Sequence, residues 1–145
     1  MNFRKAELKD AKELDNLLTL LIEDEKNYDD KVKPIKVKKY YCNYINDPTK
    51  YLYLCEDSKK IVGYIYTISI GGALKIDALF VKEDYRKKGI ATKLINEIIN
   101  YAKTNNIKFI TINVLENNIK AKELYSKYFK LNAKNGIREE LIMYL

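Results

Sequence analysis

Residues 74–114 limit the fold of this chain more than any other part of it. Residues 74–81, Leu-Lys-Ile-Asp-Ala-Leu-Phe-Val, read as an apolar strand. A charged loop, Lys82-Glu83-Asp84-Tyr85-Arg86-Lys87-Lys88, then closes on Gly89. Beyond the glycine, Ala91, Leu94, Ile95, Ile98 and Ala102 recur at helical spacing and define one apolar helix face. Residues 107–114 follow as a second strand, too apolar for a sheet edge and expected near a sheet centre. A strand, an amphipathic helix and a buried strand in succession require a sheet with helices packed on it.

The flanking segments extend that sheet. Residues 3–6 read as a short first strand, and Asp10 with Glu13 as a capping box opening a helix. Leu14, Leu17, Leu18 and Leu21 form its buried stripe. Val37, Tyr40, Tyr41, Tyr44 and Ile45 predict a second, shorter helix, stopped by Asn46-Asp47-Pro48. Residues 51–55 and 61–68 are strands around the polar turn Glu56-Asp57-Ser58-Lys59, and Gly71-Gly72 turns the chain into residues 74–81. A last helix carries Ala121, Leu124, Tyr125 and Tyr128. Asn135-Gly136 signals a hairpin between two closing strands, the second at residues 137–145. The predicted order is β-α-α-β-β-β-α-β-α-β-β: an α/β (α+β) fold on a mixed, mostly antiparallel sheet flanked by helices. With no linker, repeat or low-complexity run in 145 residues, one domain spanning 1–145 is expected.

Composition narrows the chemistry. The chain has no histidine, which excludes Ser–His and Cys–His nucleophiles and leaves a carboxylate, tyrosine, lysine or water as proton acceptor. Cys42 and Cys55 form no CxxC pair, so no metal site is expected and both read as reduced, semi-buried packing residues. No stretch approaches the ~20 apolar residues of a membrane span, and the first residues lack a signal-peptide apolar region. A cytoplasmic protein is the expectation. The net charge of +7 favours polyanionic partners, either nucleic acid or a phosphate-rich cofactor.

The most specific segment is Arg86-Lys87-Lys88-Gly89-Ile90-Ala91, an Arg-x-x-Gly-x-Ala motif between strand and helix. A helix N-terminus offers unpaired N–H groups and a positive dipole end, which suits phosphate. Gly89 permits close backbone approach, Ala91 keeps the first turn open, and Arg86, Lys87 and Lys88 add positive charge. Neither the Gly-x4-Gly-Lys-Ser/Thr loop nor the Gly-x-Gly-x-x-Gly fingerprint is present.

With Leu79-Phe80-Val81 upstream, this segment resembles the GNAT superfamily of N-acetyltransferases. Asn118-Ile119-Lys120-Ala121-Lys122-Glu123-Leu124-Tyr125 is similar to that family's downstream Asn-x-x-Ala-x-x-Leu-Tyr pattern. The resemblance implies acetyl-CoA as acyl donor and an amine as acceptor. It implies that backbone groups of Leu79, Phe80 and Val81 pair with the pantetheine arm, Val81 N–H polarising the thioester carbonyl. Backbone N–H groups of Lys87, Lys88, Gly89, Ile90, Ala91 and Thr92 would hold the pyrophosphate. Asn118 would bond the cofactor arm, and Tyr125 would protonate the departing thiolate. Two departures stand out. The family's glycine after this tyrosine is missing from Tyr125-Ser126-Lys127-Tyr128-Phe129. Asn113 occupies the position of a catalytic glutamate in ribosomal-protein acetyltransferases.

Candidates for the general base are Asp77, the only acid within residues 74–81 and expected in register with Leu79 and Val81, and then Glu116. Water-relayed deprotonation is a third route. Glu23, Asp24, Glu25, Asp29 and Asp30 crowd the end of the first helix, and Asp24 and Glu25 are candidate contacts for a cationic acceptor. The reading is therefore direct acetyl transfer to a primary amine in a ternary complex, compatible with a homodimer. Its rivals are a catalytically silent acyl-CoA-binding regulatory domain and a basic nucleic-acid-binding module. The second explains the charge but not the ordered pair of motifs.

Overall fold

The computed structural model describes residues 1–145. In chain order its elements are β1 (Asn2–Lys5), α1 (Ala11–Glu25), β2 (Lys50–Asp57), β3 (Lys60–Ile70), β4 (Ala73–Val81), α2 (Ile90–Thr104), β5 (Phe109–Leu115), α3 (Ile119–Tyr125), β6 (Lys130–Asn135) and β7 (Arg138–Tyr144). The strands form one seven-stranded sheet in the order β1-β2-β3-β4-β5-β7-β6. Only β4 and β5 run parallel, because α2 carries the chain back across the sheet between them. Every other neighbouring pair is antiparallel. No helix is long and apolar enough to cross a membrane.

Two apolar cores form, one on each face. Leu94, Ile95, Ile98 and Ala102 of α2 bury against Leu74 and Ile76 of β4 and Ile110, Ile112 and Val114 of β5. Burying each large aliphatic side chain stabilises by about 1.5–3 kcal/mol, so this stripe fixes α2 over the parallel pair. On the other face Leu14 and Leu17 of α1 pack on Leu52, Leu54, Tyr64, Tyr66, Ala78 and Phe80. β4 therefore changes sides along its length. Tyr66 lies opposite Ala78 and Thr67 opposite Ile76, which leaves Asp77 as an extra residue in a β-bulge.

Three sequence expectations change in the structure. The second helix is absent: only a single 3-10 turn, Tyr41–Asn43, forms there. Side chains of α1 take the N–H groups at the start of the segment, and only Tyr44 and Ile45 N–H bond back to Tyr41 O. The Asp15 carboxylate accepts from Tyr41 N–H at 3.0 Å, and Thr19 Oγ1 accepts from Val37 N–H at 2.9 Å. Tyr40, Tyr41, Tyr44, Tyr64 and Tyr66 then pack edge-on or tilted beneath α1. The Asp10–Glu13 capping box does not form either. Asp10 accepts two bonds from Arg4 and one from Glu7 N–H, while the Glu13 carboxylate accepts from Ile61 N–H of β3 at 2.6 Å. Finally, the closing hairpin turns at Gly136-Ile137, one residue later than expected, since Asn135 still pairs with Arg138. Gly136, at φ 61, takes the first turn position, where only a residue free to adopt positive φ fits.

The cysteines also divide. Cys55 is buried, and burial pushes its thiol up, whereas Cys42 is exposed rather than packed.

Candidate active site

The parallel pairing of β4 and β5 covers only Ala73–Ile76 against residues 109–112. Beyond it the strands part, and a cleft of about 860 Å³ opens between them. β5 continues to pair with β7 through Leu115, so the half of β4 after the bulge has no neighbour on that side. Lys82 N–H donates to Val62 O of β3, and Phe80 lies opposite Tyr64. Antiparallel alternation then turns the N–H and C=O of Leu79 and Val81 away from β3, toward the cleft. The Leu79 and Val81 side chains pack on the α2 core, and Phe80 lies on the α1 side.

The Arg86–Thr92 segment closes one end of the cleft. Lys87 and Gly89 both hold positive φ, 62 and 81, which curls the loop so that consecutive N–H groups converge. No backbone or side-chain acceptor in the protein takes the N–H of Lys87, Lys88, Gly89, Ile90, Ala91 or Thr92. A Cβ at Gly89 would meet nothing within 4 Å. The glycine is thus needed for its backbone angle, and the space before it is open to a ligand. Ala91 and Thr92 line the cleft, Ile90 is buried beneath it, and the Lys88 ammonium sits 5.4 Å from the Tyr85 ring centroid. Arg86 lines the cleft with its side chain engaged by the protein. Its Nε donates to Val81 O at 2.8 Å and its Nη2 to Asp24 Oδ2 at 2.7 Å.

Asn118 and Tyr125 stand on the far wall. Asn118 caps α3, its Oδ1 accepting from Ala121 N–H at 3.2 Å, so its amide NH₂ stays available to the cleft. Tyr125 is buried, edge-on to Phe129, and its hydroxyl bonds no protein group. No buried side-chain oxygen is left unpaired, so that hydroxyl opens onto the cleft it lines. Burial pushes the phenol up to about 12, which keeps it protonated and able to donate at neutral pH. The glycine missing after Tyr125 is not required. Residues 126–129 need no positive φ, and Phe129 N–H bonds Tyr125 O at 2.8 Å to close the turn.

The carboxylates lie differently from expectation. The bulge places Asp77 on the α1 face, beside the tyrosine cluster and 3.9 Å from Lys75, opposite the Leu79 and Val81 side chains rather than in register with them. Glu25 lines the cleft from the last turn of α1. Burial raises its carboxyl, with Asp29 and Asp77 adding to the rise and Arg138 opposing it. Asp24 is engaged by Arg86, and Glu116 pairs with Lys134 at 2.7 Å outside the cleft. Asn113 lines the β5 wall. Arg138, which also lines the cleft, carries no motif; it arrives there only through the β5–β7 pairing opposite Leu115.

Converging N–H groups, an unpaired strand edge and a protonated phenol fit a phosphate-bearing ligand with an extended, amide-containing arm. Similar proteins agree with that geometry. Over 101 residues the chain is 29% identical to streptothricin acetyltransferase A of Bacillus subtilis (strain 168), covering 63% of this chain and 58% of that relative's length. The PaiA N-acetyltransferase of Thermoplasma acidophilum, solved in complex with coenzyme A, superposes with a TM-score of 0.80 at 16% identity, over 99% of this chain and 98% of that one. The putative streptothricin acetyltransferase of Bacillus anthracis str. Ames, solved with acetyl coenzyme A, gives 0.67 at 22% identity, over 74% and 69% of the two chains. The family model of the acetyltransferase (GNAT) family matches residues 14–130, and the chain belongs to that family.

Proposed function

We propose that this chain is an N-acetyltransferase that moves an acetyl group from acetyl-CoA to a primary amine by direct transfer in a ternary complex. The observation that carries the reading is the parting of β4 from β5, with unpaired N–H groups at one end and the Tyr125 hydroxyl on one wall. In this reading the N–H groups of Lys87–Thr92 bind the pyrophosphate, with Lys87 and Lys88 supplying charge. The Leu79 N–H and C=O pair with the pantetheine amides as an added strand, Val81, its carbonyl held by Arg86 Nε, offers its N–H to the thioester carbonyl, and the Asn118 amide NH₂ donates to the same arm.

Attack by the neutral amine nitrogen on the thioester carbon forms the C–N bond. Val81 N–H stabilises the developing oxyanion as the C–S bond breaks. The thiolate takes the Tyr125 proton, and the amine proton passes to a carboxylate on the α1 side, Glu25 or Asp77. Glu25 is better suited, because its raised carboxyl accepts a proton more readily near neutral pH. The same two acids favour a cationic acceptor, the chemistry of polyamines, aminoglycosides, streptothricin-like amines or lysine-rich peptides.

The test is thiol release from acetyl-CoA with spermidine, an aminoglycoside, a streptothricin and a lysine-rich peptide as acceptors. Release above the amine-free rate with at least one acceptor is expected. Tight acetyl-CoA binding without turnover on the whole panel would instead make the domain an acyl-CoA sensor.

A further inference from the structure

Arg86 joins three parts of the molecule. Its Nε holds the Val81 carbonyl at 2.8 Å, its Nη2 holds Asp24 Oδ2 at 2.7 Å, and its guanidinium lies 5.5 Å from the Phe80 ring centroid. It is also the residue immediately before the run of unpaired N–H groups. One side chain thus ties the end of β4, the anion-binding loop and the last turn of α1. Glu25, which follows Asp24, lines the cleft from that same turn. The Arg86 and Asp24 side chains are each 43% exposed, so their pairing adds little to fold stability in water. Its geometry nonetheless matters: Arg86, held on Val81, fixes the Asp24 side chain in the same helical turn from which Glu25 lines the cleft.

We propose that Asp24 is a positioning residue, which through Arg86 couples occupancy of the anion-binding loop to the placement of Glu25 in the acceptor end of the cleft. The proposal rests on the acetyl-CoA reading above. A ligand that fixes the Lys87–Thr92 N–H groups restrains Arg86, and the pair passes the restraint to α1. Linkage makes the effect reciprocal: an acceptor held by Glu25 tightens acetyl-CoA by the same factor, about 5–150-fold for typical couplings. Asp24, which also lines the cleft, therefore serves the acceptor through Arg86 and Glu25.

Hydrogen exchange of the full chain, with and without saturating acetyl-CoA, tests this in the parent, Asp24→Asn and Asp24→Glu. In the parent, acetyl-CoA is expected to slow exchange in residues 87–92 and in residues 21–26. In Asp24→Asn the loop stays protected while protection of residues 21–26 is lost, with an unchanged melting temperature before ligand. Asp24→Glu, which keeps the charge, retains both. Equal protection of residues 21–26 in parent and Asp24→Asn overturns the proposal, as does loss in both variants. A protected loop with unprotected residues 21–26 in the parent overturns it while sparing the acetyl-CoA reading. An unprotected loop in the parent overturns both.

Discussion

Asp77 and Leu79, two residues apart on β4, face opposite sides of the sheet. A regular strand would put them on one side. The extra residue at the bulge reverses the alternation, so Leu79 joins Tyr125 on the α2 face while Asp77 joins Glu25 on the α1 face. Tyr125 and the two carboxylates thereby stand on opposite faces of the gap between β4 and β5. In the proposed reaction an acceptor arriving from the α1 side would meet a base there, and a thiolate leaving toward α3 would meet an acid.

Glu25→Gln should lower turnover by about 10²-fold, within the usual range for a lost general base, and leave acetyl-CoA affinity unchanged. Its stability effect has the opposite sign. Burial, aided by Asp29 and Asp77, raises the Glu25 carboxyl, so ionisation favours the unfolded chain. Stability is lost as pH rises above about 4.3, the ordinary glutamate value. The variant escapes that loss and should melt at the same temperature or slightly higher at neutral pH. Steady-state kinetics and a melting curve check both halves.

Tyr125→Phe keeps the ring against Phe129 and removes only the donor. Turnover should fall about tenfold to a hundredfold, since water recovers part of the ~10²–10⁴-fold worth of general acid catalysis. Because the phenol is held up at about 12, the parent should keep its acid through mildly alkaline pH. Above pH ~10 the unfolded tyrosine ionises first, so parent stability declines from there toward pH 12, and the variant lacks that share of the decline. Full turnover in the variant would remove Tyr125 from the chemistry.

The sheet and the long helices were legible because their signals are local. The α2 stripe and the β2–β4 alternation each lie within one element. The loop of unpaired N–H groups was legible because Gly89 and its neighbours sit together in the chain. Three features depend on distant partners and leave no local trace. The segment around Tyr41 has helical spacing, but Asp15 and Thr19 hold its N–H groups from α1. The side reversal at Asp77 depends on the register of β3. The Arg86–Asp24 pair joins residues 62 positions apart, and nothing local to either residue announces it.

Gly89→Asn and Gly89→Ala separate conformation from space. Asparagine tolerates positive φ, so that variant should fold and melt like the parent, yet its side chain enters the open region before the loop. Alanine at φ 81 adds strain of about 1–2 kcal/mol. Both should weaken acetyl-CoA by about tenfold or more, a loss of about 1.4 kcal/mol, read by calorimetric titration. Parent-like affinity in Gly89→Asn would place the phosphate elsewhere.

Asp10→Asn addresses the fold alone. Burial works against its ionised form, but two bonds from Arg4 and one from Glu7 N–H outweigh it, and the carboxyl lies below its usual range. The stabilisation is present above pH ~4 and lost as pH falls through the depressed value. At pH 7 the variant should lose about 1.5–3 kcal/mol, the worth of hydrogen bonds to a charged group. Denaturant unfolding at pH 7 and pH 3 should show the gap between parent and variant narrowing in acid.

The most direct measurement is a titration of isotope-labelled protein with acetyl-CoA, followed through backbone amide resonances. Saturable shifts are predicted for the amides of Lys87–Thr92 and for Leu79 and Val81. A hundredfold excess over the dissociation constant should add about 2.7 kcal/mol of stability. Millimolar acetyl-CoA leaving those amides unmoved, or moving a different surface, would contradict the account.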